Sequence, residues 1–286
     1  MKGLTGKARL AGVMGWPVAH SRSPLIHGYW LKLYNIDGAY LPLAVEPRHL
    51  QEALKALPHL GFRGVNLTVP HKVMALDVLD HVDPLAKRMG AANTIIVRED
   101  GTLEGRNTDG FGFVENLNAA GFSFSAQNNR AVILGAGGAA RAIAVALQDK
   151  GFKDFCIINR DPERAKSLAS ALGVPAQIFS WDQTKEALEN ATLLVNTTSL
   201  GMTGQPPLTL DLAPLPPSAF VADVVYAPLE TELLKQARRR GLPTADGLGM
   251  LLYQARGGFE AWFGQAPVVT QELYDLVVHD LSKAEI

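Results

Sequence analysis

One stretch of this chain, residues 131–141, leaves few ways for it to fold. An apolar run ends at Leu134, Gly135-x-Gly137-x-x-Ala140 follows at once, and a helix-like pattern begins with no polar break. Gly135 permits a tight turn, Gly137 lets backbone approach a pyrophosphate, and the small Ala140 lets a helix lie close to its strand. The unpaired N–H groups and dipole of that helix start favour an anion. Glycines alone are a weak signal. Glycines between a strand and a helix are the setting of a dinucleotide-binding βα unit. Because the loop lies mid-chain, the residues before it are free to build a separate substrate domain.

The exit of the next strand bears on which dinucleotide. NAD sites usually place an acidic residue about twenty residues past the glycines, whereas NADP sites use an arginine for the 2′-phosphate. Here the apolar run Phe155 to Ile158 ends in Asn159 and Arg160, and Arg164 follows one helical turn later. Arginine suits phosphate because its donors form a planar fork. Two solvated arginines at a helix start are the ordinary alternative. After a well-formed glycine turn the phosphate reading is preferred, and Asp161 adds a negative charge beside the pair.

Bulk properties remove several classes of function. The chain has 286 residues, long enough for two domains with separate cores. Its formal charge of −1 gives no general attraction to nucleic acid or anionic membrane. Arg238, Arg239 and Arg240 end an expected helix and read as its solvated last turn. The single cysteine, Cys156, lies in a strand, so no disulfide framework exists and a reducing, cytoplasmic compartment is expected. The N-terminus has no apolar signal region, and no segment has the apolar length needed to span a bilayer. The seven histidines are scattered without a His-Glu-x-x-His or paired-cysteine pattern, so no metal is expected.

Periodicity predicts strands near Leu10–Met14, Tyr40–Val45, Val65–Leu67, Thr94–Val97 and around Leu103, with helices over Ser23–Tyr34, Pro47–Leu57, His71–Leu79 and Thr108–Ala120. That is βα alternation. A polar connector at 123–129 leads to the glycine-loop strand. Strands near Phe155–Asn159, Gln177–Phe179, Leu193–Asn196 and Phe220–Val225 follow, with helices near Glu163–Leu172, Asp182–Glu189 and Thr231–Arg239. Residues 204–217 form a proline-rich loop. After Gly247 two helical patterns remain with no strand left to serve, and they are expected to pack back on the first domain.

The first half also carries polar clusters that packing alone does not require. Ser21 and Ser23 flank Arg22 at a helix start; only one can be the cap, and the other is free for a ligand anion. Asn66 and Thr68 point the same way along a strand, and Lys72 falls at a helix start, against its dipole preference. Asn93 and Asp109 sit at strand or loop boundaries, where such side chains most often cap turns. His20 and His71 flank these residues and read as packing or capping groups.

In their order and spacing these residues resemble the shikimate dehydrogenase family, from about Ala11 to about Gln254. The resemblance rests on Ser21 to Pro24, Asn66 to Lys72, Gly90 to Thr94, Asn107 to Asp109, the glycine loop, Asn159-Arg160 and Asp246 to Ala255. It implies two α/β domains around a cleft, the C-terminal one a Rossmann-type doubly wound parallel sheet, with the last helices packing back on the N-terminal domain. The implied boundaries are 1–108 plus 248–286 for the substrate-binding, catalytic domain and 109–247 for the NADP domain.

The implied activity is reversible reduction of 3-dehydroshikimate by NADPH, with Lys72 and Asp109 as the catalytic pair. Ser21 and Ser23 would hold the substrate carboxylate with Tyr226 near it, and Thr68, Asn93, Asp109 and Gln254 would bond ring hydroxyls, supported by Asn66. Gly135, Ala136, Gly137, Gly138, Ala139, Asn159, Arg160 and Arg164 would hold NADP, with Gly247 and Met250 by the nicotinamide. Lys72 could act as proton donor or as a charged hydrogen-bond donor to the oxyanion; both roles stay open. Partners are then a small-molecule substrate, with no nucleic acid or membrane, in a monomer or homodimer. A quinate-accepting, NAD-using relative is the nearest alternative. A non-catalytic NADP sensor has no use for Lys72, Asp109 and the hydroxyl-binding set.

Overall fold

The computed structural model describes residues 4–124, 129–173 and 176–284, so part of the connector expected at 123–129 lies outside the described residues. The chain forms two compact units: residues 1–108 with 254–279, and residues 109–253 with 280–286.

The first unit holds β1 (Arg9–Gly15), α1 (Ser23–Leu33), β2 (Gly38–Ala44), α2 (Leu50–Ala56), β3 (Phe62–Leu67), α3 (His71–Met74), β4 (His81–Val82), α4 (Pro84–Met89), β5 (Thr94–Val97) and β6 (Leu103–Arg106). They make one sheet in the order β2-β1-β3-β5-β6-β4. The expected βα alternation holds only in part. β2, β1 and β3 are parallel, but β5 runs antiparallel to both β3 and β6. No helix separates β5 from β6, so the chain reverses through a turn closed by Arg98 and Thr102. The short β4 and α4 carry too few residues to show a period. Leu50, Leu54, Leu57 and Val65 fill one face of this sheet together with Ile95.

Gly64 is required at the join of the parallel and antiparallel halves. Its φ is +150°, and a Cβ there would run into the Ile95 carbonyl and the Trp262 indole nitrogen, which bond each other at 2.9 Å. An L side chain would break both the backbone preference and that bond.

The second unit holds α5 (Asp109–Ala119), β7 (Arg130–Leu134), α6 (Gly138–Asp149), β8 (Asp154–Ile158), α7 (Pro162–Leu172), β9 (Ala176–Phe179), α8 (Thr184–Leu188), β10 (Leu193–Asn196), β11 (Phe220–Asp223), α9 (Glu232–Arg239) and β12 (Thr244–Ala245). Its sheet is wholly parallel in the order β12-β11-β10-β7-β8-β9. Numbered from β7, this is the doubly wound order, with its reversal point between β7 and β10. The unbroken apolar runs of β7, β8, β10 and β11 follow from burial on both faces, which parallel sheets require.

Two helices end the chain, α10 (Gly247–Phe263) and α11 (Gln271–Ala284). From Gln254 onward α10 belongs to the first unit, where the Trp30 indole donates to Val268 O at 3.1 Å and Arg9 bonds the Phe263 carbonyl. The expected return of the last helices to the first sheet is observed.

Arg238, Arg239 and Arg240 are exposed at the end of α9, as expected. Arg238 pairs with Glu230 and Arg239 with Glu232, while Arg240 donates to the carbonyls of Leu212 and Leu215. Arg240 thereby ties the end of α9 to the proline-rich loop, whose Leu208, Leu210, Leu212 and Leu215 enter the core.

Candidate active site

In the second unit, β7 delivers Gly135 to the reversal point, where its N–H donates to Ile158 O at 2.8 Å. Gly135 has φ +104°, and a Cβ there would lie 2.8 Å from Thr197 Oγ1 and 3.0 Å from Thr198 Cγ2. The turn is pressed against the segment leaving β10, and Thr197 Oγ1 in turn donates to Leu134 O at 2.6 Å. Gly137 differs: it caps α6 in an extended conformation, and a Cβ at Gly137 or Gly138 would meet nothing within 4 Å. Space is therefore open where backbone N–H groups face out at the head of α6, and Ala140 behind them is fully buried. This cradle fits a dinucleotide pyrophosphate.

The exit of β8 departs from a symmetric arginine clamp. Asp161 caps α7, accepting from the N–H groups of Glu163 and Arg164, and its other oxygen lies 3.5 Å from Arg164 Nε. Asn159 Nδ2 donates to Asp161 O at 2.8 Å. Arg160 is exposed and makes no ion pair among the described residues. Asp161 is thus structural as well as electrostatic: it orders the turn and draws off one of the two guanidiniums. A third arginine, Arg141 in the first turn of α6, donates to Ser167 Oγ on α7 at 3.0 Å.

At the ends of β10 and β11 lies a polar cluster that sequence reasoning missed. Asn196 Nδ2 donates to Asp223 Oδ1 at 2.9 Å, Thr231 Oγ1 to Asp223 Oδ2 at 2.7 Å, and Val225 N–H to Oδ1 at 3.0 Å. Burial pushes the Asp223 carboxyl up to about 6, against the pull of those three donors. The cluster fixes the chain just before Tyr226. Gly247 closes on the same strand end, its N–H donating to Val225 O at 3.2 Å, and Met250 on the next turn is buried.

In the first unit the expected residues collect at the ends of β3 and β5. Asn66 Nδ2 donates to Asn93 O at 3.0 Å and to Thr94 Oγ1 at 3.2 Å. Asn93 Oδ1 accepts from Thr108 N–H at 2.9 Å, and its Nδ2 donates to Thr108 Oγ1 at 3.0 Å and Gln254 Oε1 at 3.3 Å. Asn93 therefore spans elements far apart in sequence instead of capping a local turn. It also holds the residue immediately before Asp109, which opens α5 and is 4% exposed. Thr68 lies one residue past β3, its N–H on Met14 O at 3.0 Å. Lys72 stands in the first turn of α3, as expected, and its carbonyl accepts from Ala92 N–H at 2.8 Å.

The serine pair also departs from expectation. Neither serine caps α1; Arg22 holds the cap position without a side-chain capping bond, its Nη1 donating to His20 O at 3.2 Å. Ser21 Oγ accepts from Ser23 N–H at 3.3 Å, and Ser23 is buried, 6% exposed. His71, as expected, is structural: it is buried with Nε2 2.8 Å from Val45 O. Among the described residues no group of three or more His, Cys, Asp or Glu is placed to hold a metal, and no helix is long and apolar enough to cross a membrane.

The family model for the shikimate dehydrogenase substrate binding domain matches residues 13–95, and that for shikimate / quinate 5-dehydrogenase matches 117–202. A shikimate dehydrogenase (NADP(+)) of Paramagnetospirillum magneticum is 56% identical over 96% of this chain and 100% of its own length. The chain belongs to the shikimate dehydrogenase family. Among solved members and neighbours, the Thermus thermophilus shikimate 5-dehydrogenase in complex with NADP(H) and shikimate has a TM-score of 0.83 at 36% identity, over 97% of this chain and 100% of that one. A quinate dehydrogenase from Corynebacterium glutamicum in complex with NAD has a TM-score of 0.86 at 30% identity, over 95% and 99%. Solved neighbours on this architecture thus include one complex with NADP(H) and shikimate and one with NAD.

Proposed function

We propose that this chain is an NADP-dependent shikimate dehydrogenase, interconverting shikimate and 3-dehydroshikimate. The observation that carries the substrate class is the bonded set Asn66, Asn93, Thr94, Thr108 and Gln254. These amide and hydroxyl groups, held rigid by one another, suit a small ring acid with several hydroxyls. The named NADP(+) relative supports the cofactor.

The groups of this chain divide the work. Gly135 to Ala139 cradle the pyrophosphate at the head of α6, while Asn159, Arg160 and Arg164 serve the adenosine end. Gly247 and Met250 serve the nicotinamide end. The cofactor supplies the hydride. Ser21, Ser23 and Tyr226 take the carboxylate; Thr68, Asn93, Asp109 and Gln254 take the ring hydroxyls. Lys72 donates to the ketone oxygen as it becomes an alkoxide, a role preorganised by the first turn of α3, and Asp109 supplies the compensating carboxylate. The chain works as a monomer or homodimer in a reducing, cytoplasmic compartment, consistent with a single thiol that burial pushes up to about 11.

The test is the initial rate of NADP⁺ reduction with shikimate, beside quinate and NAD⁺. A rate confined to shikimate and NADP⁺ is expected. Appreciable rates with quinate or NAD⁺ would favour a broader enzyme, a reading that the Asp161–Arg164 pair supports, because it leaves one guanidinium less for a 2′-phosphate. Lys72→Ala should lower turnover roughly a hundredfold to a thousandfold, the usual cost of losing such a donor, with NADPH affinity unchanged. Equal losses in both would remove Lys72 from the chemistry.

A further inference from the structure

Behind the substrate residues of the first unit stands a side chain to which nothing above gives a role. Tyr40 lies on β2, one strand outside β1, and is 7% exposed. Its hydroxyl donates to Asn66 Oδ1 at 2.6 Å, a short bond between buried partners. Tyr40 therefore reaches from β2 past β1 to hold Asn66, on β3. From Asn66 the bonds continue to Asn93 and Thr94, and from Asn93 to Thr108 and Gln254.

The ring of Tyr40 is fixed as firmly as its hydroxyl. His27 from α1 stacks on it with centroids 3.9 Å apart and planes 1° from parallel, and Trp262 stands 6.0 Å away. His27 is fully buried with both ring nitrogens unpartnered, so it serves here as a flat wall. Asn66 needs such a fixed partner. An amide whose oxygen had no donor would be free to flip, exchanging acceptor for donor in the network beyond it.

We propose that Tyr40 is a positioning residue for the substrate: it sets the amide orientation of Asn66, and through it the hydroxyl-binding set bonded to that amide. Tyr40 does not touch the reacting atoms. Its loss should therefore weaken substrate recognition and leave the chemical step and the cofactor cradle alone. This inference rests on the shikimate dehydrogenase reading.

The test is Tyr40→Phe, which keeps the ring, its stacking and its volume and removes one oxygen. The KM for shikimate should rise about tenfold, kcat should stay within about threefold, and the KM for NADP⁺ should not move. In a cycle with Asn66→Ala, the double variant should raise KM well below the product of the two single effects, because Tyr40 acts through that amide. An unchanged shikimate KM would overturn the inference, and so would single effects that simply multiply. So would parallel rises in both KM values with a large loss of thermal stability, since a merely structural tyrosine would loosen the unit as a whole. An inactive wild type would remove the underlying reading; an active wild type with an indifferent Tyr40→Phe would remove this inference alone.

Discussion

Two glycines two residues apart should respond to the same substitution in opposite ways. Gly135→Ala forces a side chain onto a backbone at φ +104°, a strain of about 1–3 kcal/mol for a non-glycine residue. Its Cβ also starts 2.8 Å from Thr197 Oγ1, so that hydroxyl must retreat from its 2.6 Å bond to Leu134 O, a further ~1 kcal/mol. Together these predict a loss of roughly 2–4 kcal/mol, or roughly 5–15 °C in Tm for the cofactor-free protein. Gly137→Ala meets nothing within 4 Å, at φ −87°. A mild cost for alanine at a helix cap is offset by the lower entropy of the unfolded chain, so Tm should stay within a few degrees. The penalty should fall on NADPH: the added methyl occupies the space a pyrophosphate needs, and Kd should rise at least about tenfold, about 1.4 kcal/mol. Thermal unfolding without cofactor and titration with NADPH by fluorescence separate the two effects. Comparable Tm losses in both variants, or wild-type NADPH affinity in Gly137→Ala, would refute the division into a folding glycine and a binding glycine.

Acid should destabilise the first unit through His27, whose imidazole is held down to about 3 by burial, against 6.5 when exposed. The depressed value means that the unfolded chain binds the extra proton, so this contribution is complete above about pH 6.5 and is lost as pH falls towards 3, by roughly 2 kcal/mol at pH 5. Urea unfolding between pH 7 and 5 checks it: His27→Leu should flatten the profile by about one proton, and an unaltered slope would show that His27 is not the group. At the cofactor end, Arg160→Ala should raise the Kd for NADP⁺ about tenfold with little change for NAD⁺. Arg164→Ala should do less, because Asp161 already holds that guanidinium; equal losses, read by titration with each dinucleotide, would contradict the asymmetry.

Chain-local physics made much of this protein legible. A turn that only glycine tolerates, a strand buried on both faces and a helix head facing an anion each need neighbours within a few residues, and the pattern at 131–141 states all three. The same holds for Lys72 at the start of α3, for the strand runs of the parallel sheet and for the two leftover helices. Short elements were not legible: β4 and β12 are two residues each and α4 six, less than two turns of any period. The antiparallel run of β5 also escaped, since an apolar strand reads the same in either direction.

What tertiary structure alone decided is who bonds whom across long separations. Tyr40 and Asn66 are 26 residues apart, and Asn93 and Gln254 are 161 apart. Nothing in the chain near Tyr40 sets it apart from an ordinary strand tyrosine, and nothing near Asp223 announces three donors converging on a buried carboxyl. Asp161 was visible as a charge, but its capping of α7 and its hold on Arg164 depend on backbone geometry at the β8 exit. Side-chain type and local spacing determine which residues are able to serve a site. Their pairing is a property of the packed sheet, because a hydrogen bond needs its partners within about 3 Å and at the right angle, and only the completed fold sets those distances.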